Sequence, residues 1–486
     1  MAQFNNLPAD IIPIIVQQLL RPYHLAIASQ LNRSFHAYTA PILYEWTSIF
    51  AWHRESKKKA TQLFWTLANC PHLARYVRKL ELRDFPRAIS RDESFELTKI
   101  CVQGIRNCTN LRECTWTRDG SLKDEILEEL SRCPRLQALE INGHHNWNYS
   151  PELLPRLTRL RKFSIIMPSS EVVRVFPAFL EGNRASLEAL TIICKSTTLI
   201  TDELLRVIAP SLMKLKQLHI AGCPKVTHKG ISDLLSHNEV GITDLALEGV
   251  SGQFDLKEFR DFALRTHTLQ RLQSITLTFP LRGMTQDWLL YVESLLWDAP
   301  LRKFNLYVSG GQTSAPLPLS PRFVQNIIDR HSDTLVRFAV LRLPLSLYSL
   351  DYIIRNSNIE QLFVSLRKVD LGMLGPTVSQ ARRLRTLHVT YAIQSGTSLN
   401  EDEEDAEAAL VESDEIDVNR PLPSMDELER IASHFGPTIH QFGVQTRVWQ
   451  VNRLPVVGRD GTLSASIHLG PYESPEVPDA FLVVRT

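Results

Sequence analysis

One short pattern, repeated thirteen times between Val77 and Val444, constrains this chain more than any other feature. An apolar residue is followed by two free positions, a second apolar residue, one free position and a third apolar residue. The series opens with Val77-Leu80-Leu82 and Leu111-Cys114-Trp116, passes through Leu215-Leu218-Ile220 and ends at Ile439-Phe442-Val444. From Val77 to Leu301, eight steps cover 224 residues, a mean of 28. The second and third apolar positions stand two apart, the strand period, so they share one face and the residue between them faces the other way. The rest of each unit has room to return as a helix, as at 124–131, 202–209 and 322–331. No single unit can bury its apolar face, whereas stacked units share one continuous core. The expected class is α/β, an elongated array with parallel strands inside and helices outside.

The unit length and the stretch LKQLHIAGCPKVTHKGI (215–231) resemble the cysteine-containing leucine-rich repeat. That resemblance implies a solenoid over residues 71–444. Three units share a punctuation before the strand: Asn69-Cys70-Pro71, Asn107-Cys108-Thr109 and Arg132-Cys133-Pro134. Seven cysteines with no C-x-x-C pair fit neither a disulfide framework nor a zinc site, and read as small buried hydrophobes.

Ahead of the repeats, residues 7–44 carry a different periodicity. Asp10 is an N-cap candidate, and Pro13 then falls at the third helical position, where a missing N–H costs nothing. The expected helix runs to about Leu20, before Arg21-Pro22. Ile12, Ile15, Val16 and Leu19 form one stripe; a second segment, roughly 24–38, carries Leu25, Ala28, Leu31 and Phe35 on a similar stripe, and a third, from Gln30 to Phe35, leads to Pro41. So short a module cannot bury this much apolar surface, which leaves a face for a partner. The order and spacing of Leu7, Pro8, Asp10, Ile11, Ile12, Ile15, Leu19, Leu31, Asn32, Arg33 and Phe35 resemble the F-box. Asn32 stands where that family often has Cys or Ser, and Gln30 where it often has an aliphatic residue. The resemblance implies an F-box-like module (1–45) that docks a Skp-family adaptor and, through it, a cullin scaffold. Leu7, Pro8, Ile12, Ile15, Leu19, Leu31 and Phe35 would be the adaptor contacts. The whole chain would be the substrate-recognition subunit of an SCF-type ubiquitin ligase, performing no bond chemistry and needing no cofactor. The residues alone leave an alternative: a helical cap on a repeat scaffold uncoupled from ubiquitination.

Residues 46–70 read as a helical linker, with Arg54 and Lys57-Lys58-Lys59 on a solvated face and Leu63, Phe64 and Leu67 inward. Two units are too long, and both expand after their strand. The first holds 309–321, of flexible-loop composition. The second holds 395–423, with ten acidic residues from Glu401 to Asp417 and no basic residue before Arg420, a composition expected to stay without regular structure. Leaving from equivalent strand ends, both insertions are expected on one rim, bordering the inner face. Ser424-Met425-Asp426-Glu427 has the form of a capping box. Residues 445–486 are expected to cap the array, with strands at 448–451 and 481–484 around a turn at 458–461; this ending resembles those of fungal F-box proteins.

The outward strand positions are the candidate surface for an unknown protein target: Glu140, Asn142, His219, Glu248, Asn305, Tyr307, His388 and Gln445. They are chemically mixed and define no substrate class. No phosphate loop, H-E-x-x-H or G-x-S-x-G is present, and His144-His145, adjacent on a strand end, should point to opposite faces. A formal charge of +1 gives no reason to expect nucleic acid or an anionic membrane as main partner. There is no apolar run near the roughly 18 residues that span a bilayer and no secretory signal, so a reducing cytoplasm or nucleus is the expected compartment.

Overall fold

The computed structural model describes residues 10–19, 21–86, 91–280, 286–309, 318–391, 423–457 and 463–472. Leu7, Pro8, residues 310–317 and 392–422 of the two insertions, the 458–461 turn and 481–484 lie outside them.

The described chain forms one sixteen-stranded sheet in sequence order. Its first seven strands are β1 (Trp46–Ile49), β2 (Lys79–Leu82), β3 (Glu113–Trp116), β4 (Ala138–Asn142), β5 (Lys162–Ile166), β6 (Ala189–Ile193) and β7 (Gln217–Ala221). The next seven are β8 (Asp244–Glu248), β9 (Ser274–Pro280), β10 (Lys303–Ser309), β11 (Arg337–Pro344), β12 (Gln361–Leu366), β13 (Thr386–Tyr391) and β14 (Gln441–Val444). All fourteen are parallel, and an antiparallel hairpin, β15 (Arg447–Val457) and β16 (Leu463–Pro471), closes the far edge. This is the α/β leucine-rich-repeat solenoid the spacing requires.

Register follows the repeat. Leu80, Cys114, Leu139, Phe163, Leu190, Leu218 and Leu245 are successive Cα partners across β2–β8. The row continues through Ile275, Phe304, Phe338, Leu362, Leu387 and Phe442. Every member is buried in one core that extends from Ile49 to Leu469. Each such side chain contributes about 1.5–3 kcal/mol over its exposed state, so the row is an axis of stability along the whole array. Parallel strands need a crossover, and helices such as Asp124–Arg132, Asp202–Ile208 and Pro321–His331 supply it on one side. The other side of the sheet is half-exposed over β4–β7 and filled by its own side chains over β11–β13.

The structure corrects the linker. Trp46–Ile49 is not helical but is the first strand, paired with β2, and only Ser56–Asn69 is helix. In that helix Lys57, Lys58 and Lys59 are exposed while Ala60, Phe64 and Leu67 are buried, because four-residue spacing separates the two faces. At the other end the expected strand at 448–451 lies within β15, between β14 and β16. Ser424 and Glu427 form the full capping box at the start of Met425–Ala432. Because β10 and β13 are parallel, the chain leaves both at the same edge of the sheet.

The N-terminal module comprises α1 (Ile11–Gln17), α2 (Pro22–Ala28) and α3 (Arg33–Glu45). One expectation changes here. Asp10 occupies the N-cap position with helical dihedrals and makes no side-chain cap. The stripe read over 24–38 is divided between α2 and α3, because Asn32 is extended and its Oδ1 accepts from the Phe35 N–H at 2.9 Å, capping α3. Ile12, Val16, Leu25, Ala28 and Phe35 form a small core separate from that of the repeats. The module is tethered nonetheless: α3 runs directly into β1, and Arg78 pairs with Glu45 at 2.8 Å.

Candidate binding surfaces

Within the module, burial sorts the expected contact residues. Ile12 and Phe35 are 4% and 2% exposed, so they build the core and cannot form a contact surface. Ile15 and Leu19 are half-buried, while Leu31 is 54% exposed. The residues that do present apolar surface include six that a one-stripe reading of each helix misses: Ile11, Ile14, Tyr23, Ile27, Tyr38 and Ile42. Ile11/Ile14, Tyr23/Ile27 and Tyr38/Ile42 stand three or four apart, so each helix carries a second apolar stripe beside the one it buries. With Leu31, seven of the large exposed apolar side chains fall between residues 11 and 42, against fifteen in all other described residues. Two apolar stripes per helix was the sequence signal for this surface.

On the open face of the sheet, the outward positions separate into three stretches. Near β1–β4 they form a charged lattice: Trp46 Nε1 donates to Glu81 at 3.2 Å, and Arg83 bridges Glu81 at 2.9 Å and Glu140 at 3.0 Å. Lys79 lies 4.1 Å from the centroid of the Trp46 ring. Over β4–β9, Glu140, Asn142, Ser164, Thr191, His219 and Thr276 remain half-exposed. Asn142 is braced, donating to the Thr117 carbonyl at 3.1 Å and accepting from the His144 N–H at 2.9 Å.

From β10 to β14 the face is closed by its own side chains. Arg337 Nε donates to Asn305 Oδ1 at 3.1 Å, and its guanidinium sits 4.4 Å from the Phe363 ring centroid. Phe363 stacks on His388, whose Nε2 donates to the Gln445 carbonyl at 2.7 Å. A side chain at Gly443 would come within 2.0 Å of His388 Nδ1, so only glycine admits the imidazole. Burial pushes the His388 pKa down to about 4, partly opposed by the Gln445 carbonyl, so the ring is neutral at neutral pH.

These contacts correct three of the expected target-binding residues. Glu248, Asn305 and His388 are 3%, 7% and 3% exposed and are engaged internally, Glu248 with His219 Nε2 at 2.8 Å. Tyr307 and Gln445 are half-buried, and the Gln445 amide donates to the Tyr391 carbonyl at 2.7 Å. Glu140, Asn142 and His219 keep accessible surface.

His144 and His145 turn to different partners: Asp119 at 3.2 Å for the first, Ser169 Oγ at 2.9 Å for the second. Among the described residues no group of three or more His, Cys, Asp and Glu is placed to hold a metal ion. Burial pushes the thiols of Cys108 and Cys133 up to about 12, the ordinary behaviour of cysteine used as packing. No described helix is long and apolar enough to cross a membrane.

No protein-family model matches the chain. No curated protein matches it either. Some solved structures align with it at low identity. The complex of Rad7 and Elc1 in yeast aligns at 12% identity with a TM-score of 0.41, covering 82% of this chain and 94% of that one. The leucine-rich repeat-containing protein LegL7 from Legionella pneumophila aligns at 10% identity and TM-score 0.37, covering 57% and 89%. The TLR13–ssRNA13 complex aligns at 14% identity and TM-score 0.21, covering 60% and 57%. These likenesses say nothing of this chain's partners.

Proposed function

We propose that this chain is the non-catalytic, substrate-recognition subunit of an SCF-type ubiquitin ligase. Residues 1–45 act as an F-box that docks a Skp-family adaptor and thereby a cullin scaffold, and the solenoid holds a protein target. The observation that carries this reading is the separate five-residue core of the module beneath a concentration of outward apolar side chains. A cap serving only the repeats would merge its core with theirs and expose little. The residues proposed to meet the adaptor are Ile14, Ile27 and Leu31, joined by Leu7 and Pro8 from the sequence resemblance. The rate gain would come from proximity: target and ubiquitin-charged enzyme are held in one assembly, which raises their effective concentration.

Co-purification with a Skp-family adaptor tests this. The intact chain is expected to capture the adaptor, and an Ile27→Asp/Leu31→Asp variant to lose it with an unchanged melting curve, since both side chains lie outside the core. No capture by the intact chain removes the ligase reading and leaves a capped repeat scaffold.

A further inference from the structure

We propose that strands β4–β7 carry a two-ended docking site for an extended acidic protein segment bearing one large apolar side chain. The proposal rests on the reading of the solenoid as the target-holding half, and is independent of the adaptor contact.

The apolar end lies where these strands finish. Ile166 and Ile193 are register partners on the open face and are half-exposed. Just past them Met167 is 44% exposed and, in the preceding repeat, Trp147 is 95% exposed. The basic end lies where the same strands begin. Residues 135–138, 157–162, 184–189 and 212–217, which lead into β4–β7, hold seven Lys or Arg and one acidic residue, Glu188, on a chain of formal net charge +1. Arg161 and Lys216 are spent on Glu188, at 2.8 and 3.4 Å. Arg159 and Lys162 are exposed and in no ion pair among the described residues.

Backbone strain marks the same place. Nine described non-glycine residues have positive φ, and five of them flank β4–β6: Asn146 at 42°, Trp147 at 59°, Arg159 at 70°, Met167 at 54° and Ser196 at 58°. Each costs an L-residue about 1 kcal/mol or more, and such residues persist only where their surroundings over-determine them. Here the bracing is visible. Lys123 Nζ donates to Asn148 Oδ1 at 2.6 Å, the Asn148 N–H donates to the His145 carbonyl at 2.7 Å, and His145 meets Ser169. These bonds restrain the backbone on both sides of Trp147, whose ring stands 95% exposed with its centroid 6.0 Å from that of His145. An exposed aromatic on a restrained backbone is the kind of residue that interfaces use as an anchor.

The two ends define the occupant. Lys162 and Ile166 are four strand steps apart, about 13 Å, a distance an extended polypeptide covers in about four residues. The segment therefore places its acidic residues roughly four to six positions from its apolar anchor. Nucleic acid fits less well: apart from Trp147 the apolar end offers Ile166, Ile193 and Met167, which are not stacking platforms, and no aromatic ring lies among the four basic stretches.

The test is random-peptide display on the intact, immobilised full chain. Enriched peptides are expected to pair Asp or Glu with one Trp, Phe, Leu or Met at that spacing. They should bind about ten-fold more weakly or worse to Trp147→Ser and to Lys162→Glu, and the second variant should also lose salt dependence. No enrichment, enriched peptides without the pairing, or full retention by both variants would overturn the proposal. So would tighter capture of a single-stranded oligonucleotide that survives Trp147→Ser. Adaptor capture, measured on the same proteins, should be equal in all three. Its absence would remove the ligase reading while leaving the peptide result intact.

Discussion

Two buried polar residues show how tightly single side chains are bound into the array. Asn183 is 1% exposed and makes three bonds: its Nδ2 donates to the carbonyls of Leu157 at 2.8 Å and Phe179 at 2.9 Å, and its Oδ1 accepts from the Leu160 N–H at 2.8 Å. Asn183→Leu would remove all three bonds and orphan the Leu160 N–H, and we expect a loss of about 2–4 kcal/mol in urea unfolding. His388 gives a pH prediction. Its folded pKa, about 4, lies below the ordinary value of 6.5, so the unfolded chain binds the extra proton between those values. Stability contributed by the neutral ring is complete above pH 6.5 and lost as pH falls toward 4, by an amount on the order of 3 kcal/mol. His331, pushed down to about 4 by burial and then by Arg330, acts in the same direction. Thermal melts at pH 7 and pH 5 should show the drop, and a shallower one in His388→Gln.

Among the elements, the module and the repeats have separate cores, and they should fail separately. Val16 is 1% exposed inside the module core. Val16→Asp should abolish adaptor capture and the helical signal of residues 11–45 while leaving the main unfolding transition in place. Leu218 is equally buried in β7. Leu218→Ala should cost about 2–5 kcal/mol in that main transition and leave adaptor capture untouched. A shared change in both readouts for either variant would show that the two cores unfold as one. The β15–β16 hairpin covers the last parallel edge and places Trp449 and Leu469 in the main core, so it closes the array instead of extending it.

For the molecule as a whole, the repeats determined the plan locally. A three-residue apolar signature fixes which strand face is buried, and its 28-residue recurrence fixes parallel order and register, because each strand can pair in phase only with its neighbours. The same local logic found the capping box at Ser424 and the basic face of the Ser56–Asn69 helix. It missed β1, since Trp46–Ile49 carries only part of the signature and becomes a strand by pairing with β2. It also misjudged accessibility. Whether His388 faces a target or a wall depends on Phe363, Gly443 and Gln445, which come from two other segments. Ile12 and Ile14 are equally apolar, yet one is core and the other surface because α2 and α3 pack on only one side of α1. Periodicity is a property of neighbours along the chain, and the sequence by itself determined everything that depends on it: fold class, strand order and the buried face. Exposure is a property of neighbours in space. Tertiary structure alone decided which outward residues stay available, through contacts between residues 25 to 57 positions apart.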